Sequence, residues 1–189
     1  MTTNRLEAFS DGVLAIIITI MVLEMKIPEG SDLESLRPIL PVFLTYLGSF
    51  VYLGIYWSNH HHLMHAVSKV NGKVLWANLN LLFWLSLFPF VTGWMGENNF
   101  KKIPVILYGT ILLMAALSYR LLTQVAIKSE GSNSIIRKAI GKDRKGILSI
   151  FIYIAALAIS FFQPAISVFL YLLVALIWFV PDSRIEKVI

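Results

Sequence analysis

The sequence contains no cysteine and few charged residues, and both absences restrict what the protein can be. Without cysteine, disulfide bonds, thiolate nucleophiles and cysteine-based metal sites are excluded. Charged residues make up 14% of the 189 residues, whereas a soluble domain carries about 25%. The chain instead contains long apolar runs, with 57% hydrophobic residues and a mean hydropathy of +0.73. These features predict an all-α integral membrane protein.

Six apolar segments are candidates for spanning helices, each of which needs about 20 mostly apolar residues. They cover approximately residues 6–25, 39–63, 73–95, 103–125, 145–163 and 165–181. Pro164 stands between the last two and suits the first turn of a new helix, so we expect a tight helical hairpin there. The whole chain, residues 1–189, is predicted to form a single six-helix membrane domain.

The positions of the basic residues predict the orientation in the membrane. With six spans both termini lie on one side, and that side carries 12 of the 16 lysines and arginines. Because cytoplasmic loops are enriched in Lys and Arg, we expect a multi-pass cell-membrane protein with both termini in the cytoplasm. The polar segment 128–145 is interpreted as a solvated loop that can also meet anionic membrane lipids. No nucleic-acid partner is expected, because the basic residues lie in the loops between the apolar segments, where positive charge sets the membrane orientation.

The first span starts with the ionisable stretch "RLEAFSD", ahead of a short apolar core. The core from Val13 to Leu23 has 11 residues, about 16 Å as a helix, or about half the hydrocarbon thickness. Crossing therefore brings charged side chains toward the membrane, where such groups normally face a bundle interior or a watery cavity. We expect this helix to be central and shielded from lipid by the other five.

Four residues of this helix lie within about 60° of one another around its axis, with Ile20 beside them. They form a stripe of Gly12, Ile16, Thr19 and Leu23. Spacing alone favours a packing stripe, in which small residues allow close helix contact. The alternative is a pore stripe, in which the aliphatic side chains form a narrow constriction and Thr19 supplies a hydroxyl. Hydrophobic constrictions of that kind gate by dewetting.

Polar and aromatic residues are concentrated where the second span ends and the third begins, level with the start of the first. Arg5 and Asp11 are six positions apart, about 240° around a helix, so they do not pair with each other. We expect both, together with Ser10, to find partners on neighbouring helices. The candidate partners are Trp57, Asn59, His60, His61, Asn78 and Asn80.

All four histidines lie between His60 and His65, and His61 and His65 have the i, i+4 spacing of a metal-binding pair. No HExxH glutamate or cysteine accompanies them, so we assign no metal ligands and favour hydrogen bonding or pH sensing. Asp11 with the His60–His65 cluster leaves open a proton-coupled transporter, and the histidines leave open a membrane metalloenzyme. The sequence holds no catalytic constellation, phosphate-binding loop or nucleophile elbow, so neither catalytic residues nor a cofactor are expected.

Arg5-x-x-x-Phe9-Ser10-Asp11 resembles the signature of the transmembrane-175 family of potassium channels. The resemblance continues through "FSDGVLAIIITIMVLEMKIP", "YWSNHHHLMH" and "LWANLNLLFWLSLFPF". It implies a six-span subunit of the prokaryotic form with cytoplasmic termini, in which four subunits surround a central pore. It also implies that the first helix lines this pore and that potassium is the permeant ion.

Applied to this chain, the resemblance implies constriction layers at Ile16, Ile20 and Leu23, with Thr19 as the hydroxyl position. The pore is expected to be lined by hydrophobic side chains, because a TVGYG-type carbonyl filter is missing from the sequence.

The resemblance further implies that Arg5, Ser10 and Asp11 tie the cytoplasmic half of the pore helix to the second and third spans. Glu24 follows Leu23, and in a fourfold ring its carboxylates would attract cations to the outer mouth. The alternative is an interfacial Glu24 paired with Lys26.

Overall fold

The computed structural model describes residues 2–68, 70–131 and 143–179. In these ranges the regular secondary structure is helical throughout, which confirms the prediction of an all-α protein. A 3-10 helix over Leu33–Ile39 precedes the second of seven α-helices in these ranges. The α-helices are α1 (Thr3–Leu23), α2 (Leu40–His65), α3 (Gly72–Ser86), α4 (Phe88–Glu97), α5 (Lys102–Glu130), α6 (Arg144–Ser160) and α7 (Pro164–Phe179).

Four stretches of the described chain are long and apolar enough to cross a membrane. They are Thr3–Leu23, Leu33–His65, Gly72–Glu97 and Lys102–Glu130, and they coincide with the first four predicted spans. The last two helices are shorter, with 17 and 16 residues, so the count of six spans stays a prediction for this pair. The chain breaks between them just before Pro164, as expected for a helical hairpin.

The third predicted span differs from a single continuous helix. It consists of α3 and α4, which are separated at Leu87. Pro89, at the start of α4, has no backbone N–H to continue the helical hydrogen bonds, and its ring crowds the preceding turn. The break therefore allows α4 to leave the direction of α3.

The predicted orientation rests on the 12 basic residues on the side of the termini. Six of these 12 residues lie outside the described ranges, as does most of the polar segment 128–145. These basic residues are Lys69, Arg137, Lys138, Lys142, Arg184 and Lys187. The orientation therefore stays a prediction from the charge distribution.

Buried hydroxyl groups join α2 to α4, α5, α6 and α7. Tyr52 of α2 donates a hydrogen bond to the backbone carbonyl of Tyr171 on α7, and Tyr153 of α6 donates to the Tyr52 hydroxyl. Ser49, one turn earlier, bonds the hydroxyls of Thr92 on α4 and Tyr108 on α5. Polar groups away from water need such partners, so these bonds fix α2 within the bundle.

Helix α1 lies at the edge of the single chain, packed against α2, α3 and α4. Within the most apolar 18-residue stretch of α1, 28% is buried, the lowest fraction among the four long segments. The central, shielded location expected from its short apolar core is therefore not reached within one subunit.

Candidate pore helix and its polar anchor

One face of α1 is packed against the rest of the chain. Its buried residues are Leu6, Ser10, Leu14, Ile17 and Met21. They follow one another at intervals of three or four positions, which places them on one side of the helix. This inner face is apolar except for Ser10, so it attaches α1 mainly through side-chain packing.

The predicted stripe lies on the other face of α1. Ile16 is 58% exposed, Ile20 41% and Leu23 79%. Thr19 is exposed as well, and its hydroxyl donates a hydrogen bond of 2.9 Å to the carbonyl of Ile16. A side chain at Gly12 would meet no other atom within 4 Å. The stripe therefore does not pack within its own subunit, and we call it the outer face.

Three buried polar side chains connect α1, α3 and α2. Asn78 on α3 donates a hydrogen bond of 3.0 Å to the Ser10 hydroxyl, which itself donates to the carbonyl of Leu6. The other end of the Asn78 amide, Oδ1, lies 2.7 Å from Nε2 of His60 on α2. Because an amide oxygen only accepts hydrogen bonds, the hydrogen-bond network assigns the proton to Nε2 of His60. The chain Ser10–Asn78–His60 thus holds three helices at one level.

A second set of contacts joins α1 and α2 closer to the surface. The indole N–H of Trp57 donates a hydrogen bond of 3.1 Å to Asp11. One turn earlier on α1 and one turn later on α2, Glu7 Oε1 lies 2.6 Å from His61 Nδ1 and 3.8 Å from His65 Nε2. The start of α1 therefore lies level with the end of α2, as the antiparallel arrangement of the two spans predicts.

We call the contacts of Glu7, Ser10 and Asp11 with α2 and α3 the polar anchor. Glu7 was not among the residues that the sequence predicted for it. Its position was visible in the spacing, since Glu7 and Asp11 are four apart on α1. On α2, Trp57, His61 and His65 repeat at the same interval, so two matching polar rows face each other across the antiparallel pair.

Three residues predicted for the anchor lie elsewhere. Arg5 is exposed and has no hydrogen-bond or ion-pair partner among the described residues. The amide of Asn59 donates to the carbonyl of Ile55 in its own helix, at 2.8 Å. Asn80 donates to Ser118 on α5, at 2.7 Å, because two residues beyond Asn78 a helix has turned by about 200°.

Glu24 follows the opposite end of α1 and lies against α4. The side chain of Glu24 lies over Gly93 on α4 and has no hydrogen-bond or ion-pair partner within the part of the chain that the structure describes. Lys26 pairs instead with Glu97, at 2.8 Å, and the hydrogen bond and charge of Glu97 raise the pKa of Lys26 above its ordinary value. The alternative in which Lys26 neutralises Glu24 is therefore not what the structure contains.

A groove of about 560 Å³ runs beside the outer face. Ile16 and Ile20 form one wall, and Phe90 and Trp94 of α4 are among the residues that form the other. Glu24 lines the groove too, so an apolar channel-like surface ends near a carboxylate that carries no counter-charge in the described chain.

Comparisons with known proteins identify the family and the relatives of this chain. The family described as the endosomal/lysosomal potassium channel TMEM175 matches residues 5–89. A potassium channel of Chryseobacterium sp. (strain P1-3) is 59% identical over 187 residues, which cover 99% of this chain and 97% of that one. The endosomal/lysosomal proton channel TMEM175 of Homo sapiens is 33% identical over 96 residues, 44% of this chain and 19% of the human one.

A solved structure shares the fold. The crystal structure of a lysosomal potassium-selective channel TMEM175 homolog from Chamaesiphon minutus matches with a TM-score of 0.82 and 29% sequence identity, covering 95% of this chain and 97% of that one. These relatives are ion channels and not enzymes, which agrees with the prediction made from the sequence. The chain belongs to the TMEM175 family and is one of its prokaryotic members.

Proposed function

We propose that the protein is a potassium channel in which the outer face of α1 lines the ion pathway. Its family membership supports this function, because a bacterial relative with 59% identity is named a potassium channel. The observation that carries the proposal is the division of α1 into a packed face and an exposed one that holds Ile16, Ile20 and Leu23. Glu24 follows the outer face, and an ionisable side chain is costly against lipid.

A homotetramer would place four copies of the outer face around one axis. Cyclic assembly repeats each residue as a ring, so the aliphatic side chains of Ile16, Ile20 and Leu23 would form successive hydrophobic layers. A narrow apolar ring expels water and closes the pathway to hydrated ions. Thr19 uses its proton on the Ile16 carbonyl, which leaves its oxygen lone pairs free to face a cation.

The polar anchor divides α1 into a held half and a less constrained half. Ser10 and Asp11 are bonded to α3 and α2. Between Ile16 and Leu23, the one side-chain hydrogen bond to another helix among the described residues is a long one, 3.9 Å, which the Met21 sulfur accepts from Thr92 on α4. We infer that the anchor sets the position of the cytoplasmic half and that the hydrophobic gate forms in the outer half.

At the outer mouth, Glu24 would supply a ring of four carboxylates. Acidic rings concentrate cations in cation channels. The pairing of Lys26 with Glu97 supports this role, since it leaves the Glu24 charge without a basic neighbour. With 12 of 16 basic residues on the side of the termini, this arrangement corresponds to a cell-membrane protein with cytoplasmic termini.

Potassium flux from liposomes that contain the purified protein tests the proposal. We expect wild-type liposomes to be potassium-permeable. Ile16→Asn and Leu23→Ser are expected to raise the flux roughly tenfold, equivalent to about 1.4 kcal/mol off the barrier, because polar side chains keep the constriction wet. Val22→Ser is the matched control, since Val22 is exposed but points about 100° away from Leu23.

Two results would contradict the proposal at different levels. Wild-type liposomes that hold a potassium gradient would argue against a channel. Flux that responds to Val22→Ser as strongly as to Leu23→Ser would instead remove the assignment of the outer face to the pathway.

Proton conduction is the second candidate, favoured by the name of the human relative as a proton channel. Asp11, Glu7 and the histidines from His60 to His65 would provide titratable groups along α1 and α2. A proton-coupled transporter predicts saturable transport that changes steeply between about pH 5 and 8, where histidine titrates. A pH-sensitive dye inside the liposomes measures this, and non-saturating flux unaffected by Asp11→Asn would count against it.

A further inference from the structure

The fold brings a third potential ligand to the histidine pair that the sequence left without one. Glu7 of α1 approaches His61 and His65 of α2, and the ligand atoms of all three lie within 4.8 Å of one another. We propose that Glu7, His61 and His65, which we call the α1–α2 cluster, form a binding site for a divalent transition-metal ion such as Zn²⁺. This proposal departs from the prediction that the chain has no metal ligands, and it does not depend on channel activity.

The distances in the cluster are close to those of a coordinated metal. Zinc bonds of about 2.0–2.2 Å in tetrahedral geometry separate neighbouring ligand atoms by about 3.4 Å. Glu7 Oε1 lies 2.6 Å from His61 Nδ1 and 3.8 Å from His65 Nε2. The first distance must lengthen and the second shorten, each by less than about 1 Å. The ligand nitrogens of the two histidines lie within 4.8 Å of each other, so rotation of the imidazoles must also bring these atoms to about 3.4 Å.

The donor set fits zinc better than magnesium or calcium. Two imidazoles and one carboxylate make the His₂Glu set that zinc uses in sites with an open fourth position for water. Imidazole ligands suit zinc, nickel and copper, whereas magnesium and calcium require oxygen ligands. The metal would replace the proton that Glu7 and His61 share in their hydrogen bond.

The three side chains of the α1–α2 cluster differ in exposure, and the two histidines are exposed enough for a metal ion to reach them. The side chain of Glu7 is 16% exposed, that of His61 42% and that of His65 51%. A metal ion can therefore reach the two imidazoles, and the largely covered Glu7 carboxylate lies next to them.

The Glu7–His61 hydrogen bond alone does not account for the third member of the cluster. The ring of His65 stacks edge-on against His61, with ring centroids 4.4 Å apart, and directs Nε2 toward the same carboxylate oxygen. The other two histidines are arranged differently. His60 bonds Asn78 in the buried network, and the ring of His62 lies 5.5 Å from His61 but outside the group of converging ligand atoms.

Titration of the full-length protein in detergent micelles with Zn²⁺, followed by isothermal calorimetry, tests the site. We expect one Zn²⁺ per chain, no response to Mg²⁺, and a rise in the melting temperature with Zn²⁺ because the metal links α1 to α2. His61→Gln, His65→Gln and Glu7→Gln should each lower the affinity by about 10- to 100-fold, the loss that even an outer hydrogen-bond partner of a ligand causes.

His62→Gln is the matched control, since it removes a histidine from the same turn and leaves the three ligands intact. Its affinity for Zn²⁺ should equal that of the wild type. His65→Gln changes a half-exposed residue, so it is expected to fold and elute as the wild type even if Glu7→Gln does not. The proposal is overturned if the wild type binds no stoichiometric Zn²⁺, or if His62→Gln loses as much affinity as His65→Gln.

Discussion

Ile16 and Ile17 are neighbours of the same residue type, yet they have opposite surroundings. Ile17 is 4% exposed and packs on the inner face of α1, whereas Ile16 is 58% exposed on the outer face. Hydrophobicity therefore does not decide which side of α1 faces its own subunit. The position of Ser10, which bonds Asn78 on the inner face, and the packing of α1 against α2, α3 and α4 decide it.

This difference assigns separate tasks to the two faces. The inner face fixes α1 to its subunit through packing and buried hydrogen bonds. The outer face is left to contact another subunit or the ion pathway. Substitutions on the inner face should therefore change stability, and those on the outer face should change flux.

The largest expected effect comes from truncating the buried isoleucine. Ile17→Ala removes buried atoms from the packed inner face of α1 and should destabilise the protein by about 2–5 kcal/mol. Ile16→Ala removes the same atoms from an exposed position and should leave subunit stability nearly unchanged while raising potassium flux. Unfolding in mixed micelles measures the first and liposome flux the second. Equal destabilisation by both would contradict the division into two faces.

The next effect concerns the buried polar link between α1 and its neighbours. Asn78→Leu removes the partner of both His60 and Ser10 and should cost about 1–3 kcal/mol, because buried polar groups lose their hydrogen bonds. Asn80→Leu also removes an amide but affects only Ser118 on α5, so we expect about 0.5–1.5 kcal/mol. Thermal denaturation of the two variants compares them, and a larger loss for Asn80→Leu would argue against Asn78 as the link.

A smaller effect is expected at the more exposed contact between α1 and α2, where Trp57 bonds Asp11. Trp57→Phe keeps an aromatic side chain but removes the N–H that bonds Asp11, so the loss from this hydrogen bond should be about 0.5 kcal/mol, the lower end for one such bond. Trp76→Phe is the control, since Trp76 is 75% exposed and makes no hydrogen bond to the described residues. Thermal denaturation should separate the two variants; identical melting curves would show that the Asp11 bond contributes nothing.

The smallest effect should come from the exposed ion pair at the outer end. Lys26→Gln breaks the contact with Glu97, but exposed pairs contribute little, so the melting temperature should not change measurably near neutral pH. Because the pKa of Lys26 is raised, the pair's small contribution is present below the ordinary lysine pKa and is lost as the pH rises through the raised value. A clear loss of stability at pH 7 would contradict this assignment.

Helical spacing predicted which residues of α1 share a face, but not which face packs. The stripe of Ile16, Thr19 and Leu23 followed from the period of the helix, while its exposure depends on neighbours that the spacing of one helix does not contain. The same holds for Asn78 and Asn80, which look alike in sequence and face different helices. The spacing of Glu7 and Asp11 on α1 matches that of Trp57 and His61 on α2, but the contact of Glu7 with His61 also depends on how the two helices align, which the spacing within one helix does not give.

The absence of cysteine from the chain allows the most direct test of the central claim, that the outer face of α1 lines the potassium pathway. Leu23→Cys introduces one thiol on this face, and Leu44→Cys introduces one at an exposed position near the start of α2. A positively charged methanethiosulfonate reagent is then added to liposomes during a potassium-flux measurement. The account predicts that the reagent stops most of the flux through Leu23→Cys and leaves Leu44→Cys unchanged. Unaltered flux through fully labelled Leu23→Cys would contradict it.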